Sequence, residues 1–159
     1  MKTLIVGRGN PIVSNDSAGI LAVRILKSNL SGNLPKDIEF IESTDGNLSF
    51  AEQLVGYNEV YIIDTIRDPR IPHGEIKIIE NILDIHSENI PINIHDIDLL
   101  TAIHIIKNAI PEEFPKKISL FGINVLEAFS FSEHMDNKIV KSVKKIVKII
   151  EKRLFGEIR

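Results

Sequence analysis

Three side chains have the chemistry to work together: Asp16, Asp64 and His95. Asp16 follows the turn-rich stretch GRGNP and precedes a helical pattern, Asp64 sits at the end of the apolar run YII within EVYIIDTI, and His95 stands where INIHDIDLL passes from strand-like to helical. Two carboxylates and an imidazole on one site would give three ligands and leave coordination positions open, which is how a metal centre meets a substrate. Each residue also has a plainer reading. An aspartate just before a helix is a common cap whose charge suits the helix dipole, and a lone histidine is more often structural than a ligand. Asp64 is harder to explain away, because a carboxylate at the end of a buried strand costs desolvation unless it is paired, hydrogen-bonded or bound to a cation. His73 lies in a Pro-flanked loop, His86 and His134 in polar surroundings and His104 on the flank of a helix, so these four read as surface or structural residues.

Other chemistries are excluded by what the chain lacks. There is no cysteine, which removes disulfides, thiolate nucleophiles and cysteine-ligated metals. GRGNPI resembles a phosphate-binding turn only in part: the position of the third glycine of a dinucleotide fingerprint is Ile12, and no Gly-Lys-Ser/Thr ending follows. A tight turn that uses glycine for its backbone angles is the simpler reading. No distinct Ser-His-Asp arrangement is visible, so a water nucleophile is expected over a covalent acyl-enzyme. The 19 basic and 22 acidic residues give a net charge of -3 with no separate basic cluster, which argues against nucleic acid as partner. The apolar run in MKTLIVGRG is too short for a signal peptide and no segment approaches membrane-spanning length, so no membrane association and a cytoplasmic location are expected.

The elements that must position these residues follow from periodicity. Strands are expected at 2–7, 37–42, 59–66, 75–80 and 116–124, and helices from Ala18, over 48–55, from about His95 and over roughly 139–154. The alternation predicts one α/β domain over 1–159, a three-layer αβα sandwich around a mostly parallel sheet. Such sheets bind ligands outside the carboxyl ends of their strands. Asp16, after the first strand, and Asp64, at the end of YII, can therefore converge, with His95 entering from a helix start.

At these residues the chain resembles the hydrogenase maturation proteases, endopeptidases that trim the large subunit of nickel-iron hydrogenases. The family's opening strand, Gly-x-Gly-Asn turn, acidic pair and small-residue helix start correspond to VGRGNPIVSNDSAG; its central strand with aspartate corresponds to EVYIIDTI, and its histidine before a helix to INIHDIDLL. The resemblance continues through FPKKISLFGIN to the last helix. It implies that Asp16, Asp64 and His95 bind metal and serve cleavage, and that the metal is nickel supplied by the partner, the large-subunit precursor. The metal could then polarise the scissile carbonyl or activate water, or serve recognition alone while a carboxylate acts as general base. Two departures are visible: Asn15 replaces the first acidic residue, and the glycine-rich element after the second strand reads ESTDGNLSF. The alternatives are a metal-free small-molecule-binding domain, a non-catalytic paralogue of related fold and, more distantly, a peptidyl-tRNA hydrolase-like esterase. The last shares the Gly-x-Gly-Asn-Pro turn, but its following glycine and its Thr-Arg-His-Asn segment are absent here.

Overall fold

A computed structural model describes residues 1–85, 97–126 and 134–156. In chain order the elements are β1 (Thr3–Arg8), α1 (Ala18–Leu30), β2 (Ile38–Ser43), α2 (Asn47–Gln53), β3 (Glu59–Ile66), β4 (Ile76–Ile79), a 3-10 turn at Ile82–Asp84, α3 (Ile97–Ala109), β5 (Lys117–Asn124) and α4 (Asn137–Phe155). The strands form one sheet in the order β2-β1-β3-β5-β4. β1 lies parallel to β2 and β3, and β3 lies parallel to β5; β4 alone runs antiparallel, against β5.

Strand parity divides the core into two layers. Leu4 and Val6 of β1 and Val60 and Ile62 of β3 point to one face, where they pack with Phe50, Leu54, Leu99, Ile103 and Ile106 of the α2–α3 side. Ile5, Tyr61 and Ile63 point the other way and meet Ala22, Leu26, Val143, Ile146 and Ile150 from α1 and α4. Continuous apolar runs are what a sheet covered on both sides requires. Helix α4 shows the complementary pattern: Ile139, Val143, Ile146 and Ile150 are buried while Lys141, Lys144, Lys145 and Lys148 face solvent. It starts where the Asp136 carboxylate accepts the Lys138 N–H at 2.9 Å. It ends at Gly156, whose φ of 74° is left-handed.

The αβα architecture and mostly parallel sheet match the expectation from sequence. β3 spans the expected 59–66: it pairs with β5 as far as Ile66, while its ladder to β1 ends at Gly7 and Ile63. The helix expected from about His95 is described from Ile97; His95 itself, like His86, lies outside the described residues.

Candidate functional site

The connection leaving β1 runs toward β2, while the one leaving its other neighbour, β3, runs toward the opposite edge of the sheet at β4. A crevice opens at such a switch point. Here it is a cleft of about 660 Å³ bounded by residues 8–12, 43–45 and 64–65, with Asp16 in its wall.

The glycines of GRGN bring the chain back onto itself. Gly9 has φ of 149°, and a Cβ there would stand 1.9 Å from the Asp16 carbonyl oxygen. Only a residue without a side chain lets the two backbones approach this closely. The Gly7 position is equally tight, 2.1 Å from the Gly19 carbonyl, so α1 rests directly on β1. Just past Gly9, the Asn10 N–H donates to Asp16 Oδ2 at 2.9 Å, and Asn10 Oδ1 accepts the Ile12 N–H at 3.0 Å.

Asp16 is not a cap. The N-cap of α1 is Ser17, which makes no side-chain capping bond, and the Asp16 carboxylate instead spans the cleft wall. Its Oδ2 takes the Asn10 N–H and its Oδ1 takes the Thr65 hydroxyl at 3.2 Å. Thr65 also donates its backbone N–H to Asp64 Oδ1 at 2.8 Å. Thr65 therefore links the two carboxylates that sequence singled out, although 48 positions separate them. An ionised carboxylate offers about four acceptor sites, so each can serve several donors at once. This donor chemistry suits a cation. His95 is not among the described residues, and no group of three His, Asp or Glu able to hold a metal occurs among those that are.

Arg8, which no local sequence pattern marks out, adjoins Asp64. It continues the register in which Leu4 and Val6 face α2 and α3, and so does Asp64 after Val60 and Ile62. Parity therefore sets the two on the same face of adjacent strands. Arg8 Nη1 lies 3.4 Å from Asp64 Oδ2, with side chains 9% and 16% exposed. Its Nη2 donates to Asn47 Oδ1 at 3.1 Å, and its guanidinium carbon sits 4.3 Å from the centroid of Phe50. Asn47 and Phe50 belong to α2, within the segment that departs from the family pattern. An arginine ending an apolar strand is the available signal, but its partners lie 39, 42 and 56 positions away.

Behind the cleft, Asn15 Oδ1 accepts the Asp136 N–H at 3.1 Å, tying the turn to the start of α4. Asp136 Oδ2 faces His73 Nε2 at 2.9 Å, and the Leu126 N–H donates to His73 Nδ1 at 3.1 Å. The Lys138 N–H, followed by His73, holds the Asp136 carboxyl below the usual carboxylate range. His73 is thus a structural residue, as expected, with its side chain mostly buried. Asn124, fully buried at the end of β5, fixes the loop after β3. Its Oδ1 accepts the Asp68 N–H at 2.7 Å while its Nδ2 reaches the carbonyls of Asp68, Ile71 and Pro72.

No protein-family model and no curated protein matches this sequence. Solved structures do match in fold. The chain is similar to the hydrogenase maturating endopeptidase HybD of E. coli, with a TM-score of 0.72 and 16% identity over 98% of this chain and 94% of that one. It is similar to the [NiFe] hydrogenase maturation protease HybD of Thermococcus kodakarensis, with a TM-score of 0.67 and 23% identity over 96% and 99%. HycI from Thermococcus kodakarensis KOD1, also a [NiFe] hydrogenase maturation protease, aligns with a TM-score of 0.70 and 19% identity over 96% and 92%. The chain has the fold of these proteases along almost its entire length.

Proposed function

We propose that this chain is a hydrogenase maturation endopeptidase that removes the carboxyl-terminal extension from a nickel-loaded large-subunit precursor of a nickel-iron hydrogenase. The observation that carries the proposal is the pairing of Asp16 and Asp64 across Thr65, at the switch point of a fold shared with proteases of that name. Nickel is part of the substrate, carried in by the precursor. Asp16, Asp64 and His95 take it up, and the scissile peptide lies along the cleft. Carboxylate and imidazole donors suit this metal, and ligands from the precursor complete its shell.

The cleft is acidic on balance, since Asp16, Asp45 and Asp64 line it against the single cation Arg8 among the described residues. That balance favours a cationic centre over a phosphate or another anion. Ile12, 78% exposed at the rim, offers an apolar contact to the arriving chain. Hydrolysis needs one water, whose oxygen bonds to the peptide carbonyl carbon while the C–N bond breaks and the departing amine takes the proton. A cleft carboxylate serves as the base that holds this water and accepts its proton. Loss of the extension is irreversible and commits the precursor to its mature form.

Incubating the protein with a nickel-loaded precursor and weighing the products tests the proposal. A single cut near the precursor's carboxyl terminus is expected. An intact precursor, under conditions where an active maturation protease cuts it, would refute the reading. Among the described residues no helix is long and apolar enough to cross a membrane.

A further inference from the structure

The cleft already contains a cation, and it sits on one of the carboxylates meant for the metal. Arg8 is held from three directions: Asp64 Oδ2 lies 3.4 Å from Nη1, Asn47 Oδ1 3.1 Å from Nη2, and the Phe50 ring lies under the guanidinium. With its side chain 9% exposed, the group has little solvent to swing into. We propose that Arg8 is a specificity-determining residue: a tethered guanidinium that competes with divalent cations for Asp64 and keeps the cleft's affinity for free metal low. The inference rests on the reading of Asp64 as a metal-docking residue.

The geometry sets the size of the effect. An ion bound to Asp64 Oδ2 stands about 2 Å from that oxygen. Arg8 Nη1 is 3.4 Å from the same oxygen, so the ion and this nitrogen are at most about 5.4 Å apart. Two positive charges and one, so close, repel by an amount worth about tenfold in affinity even with the dielectric of bulk water, and more in a part-buried site. Asn47 and Phe50 prevent Arg8 from relieving that repulsion by moving away, since departure would forfeit both contacts. A free metal ion brings no interactions to offset the repulsion. A metal delivered inside a precursor does, because its protein supplies contacts along the rest of the cleft. The guanidinium would therefore discriminate between solvated metal and metal embedded in a protein partner.

Calorimetric titration of the full chain with Ni(II) alone tests this. Arg8→Met should bind Ni(II) at least tenfold more tightly than the unaltered chain, whereas Arg8→Lys, which keeps the charge, should stay within a few-fold of it. Adding Asp64→Asn to Arg8→Met should remove the gain. A second measurement uses the unaltered chain: the side-chain Nε–H resonance of Arg8 should shift as Zn(II) is added and saturate with the ion. Equal Ni(II) affinity with and without Arg8, both weakened by Asp64→Asn, would overturn the role of Arg8 and leave metal docking standing. An Arg8 resonance that stays fixed while Zn(II) binding depends on Asp64 would have the same meaning. Absence of binding in every variant, or binding indifferent to Asp64→Asn, would overturn the docking role of Asp64 and this inference with it.

Discussion

Replacing Gly9 by alanine should damage both the stability of the chain and the aim of Asp16. The new Cβ would lie 1.9 Å from the Asp16 carbonyl oxygen, where ordinary contact begins near 3.4 Å. The two backbone segments must therefore part by about 1.5 Å. That movement carries the Asn10 N–H, now 2.9 Å from Asp16 Oδ2, out of hydrogen-bond reach. An alanine at φ near 149° adds conformational strain of about 1–3 kcal/mol. The lost bond to a carboxylate adds about 1.5–3 kcal/mol, so the total is about 2.5–6 kcal/mol. Urea denaturation of the two proteins measures it. Gly32→Ala is the control: nothing lies within 4 Å of its added Cβ, and a change of no more than about 1 kcal/mol is expected. If Gly9→Ala matched Gly32→Ala in stability and kept its processing activity, the account of the GRGN turn would be wrong.

Further predictions follow from the same contacts. Asp16→Asn and His95→Gln should each slow precursor cleavage by roughly a hundredfold or more while the circular dichroism spectrum is unchanged; cleavage at the original rate by either would remove that residue from the site. Asn124→Leu leaves the Asp68 N–H and three loop carbonyls without their buried partner and should cost about 3 kcal/mol in a denaturant titration, with amide exchange quickening first in residues 67–74. The Asp136 carboxyl binds its proton less readily in the folded chain than in the unfolded one. Its contribution is therefore complete above the ordinary carboxylate range and fades as pH falls through its depressed value. Acid titration followed by NMR should accordingly show amides at the start of α4 losing protection below about pH 4, and Asp136→Ala should remove that step together with about 1 kcal/mol of stability.

Much of this was legible from the chain alone, for identifiable reasons. EVYIIDTI and KKISLFGIN are β-branched and apolar without alternation, which is the mark of strands buried on both sides, and the strand bounds lie within a residue or so of expectation. The lysines of α4 return every three or four residues, so its buried face could be read directly. Asp16 and Asp64 could be placed at one end of the sheet because strand-to-helix connections in α/β domains leave from the carboxyl edge. The contacts that tune them could not. Arg8 meets Asp64 through strand register, and it meets Asn47 and Phe50 through the packing of α2 on the sheet, neither of which leaves a local pattern. Likewise Thr65 reads as one more β-branched strand residue, and its hydroxyl acquires meaning only once α1 has brought Asp16 beside it. That Asp16 lies in the cleft wall and is no cap has the same origin: its carboxylate is held by a turn bond from Asn10 and a tertiary bond from Thr65.

The central claim is that Asp16, Asp64 and His95 meet on the nickel of a bound precursor. Diffraction data collected at the nickel absorption edge, from crystals of this chain with an uncleavable nickel-loaded precursor, would locate that ion directly. One anomalous peak is expected in the cleft at the carboxyl ends of β1 and β3, about 2 Å from oxygens of Asp16 and Asp64 and from a ring nitrogen of His95. A nickel peak ligated by the precursor alone, with these three side chains out of bonding distance, would contradict it.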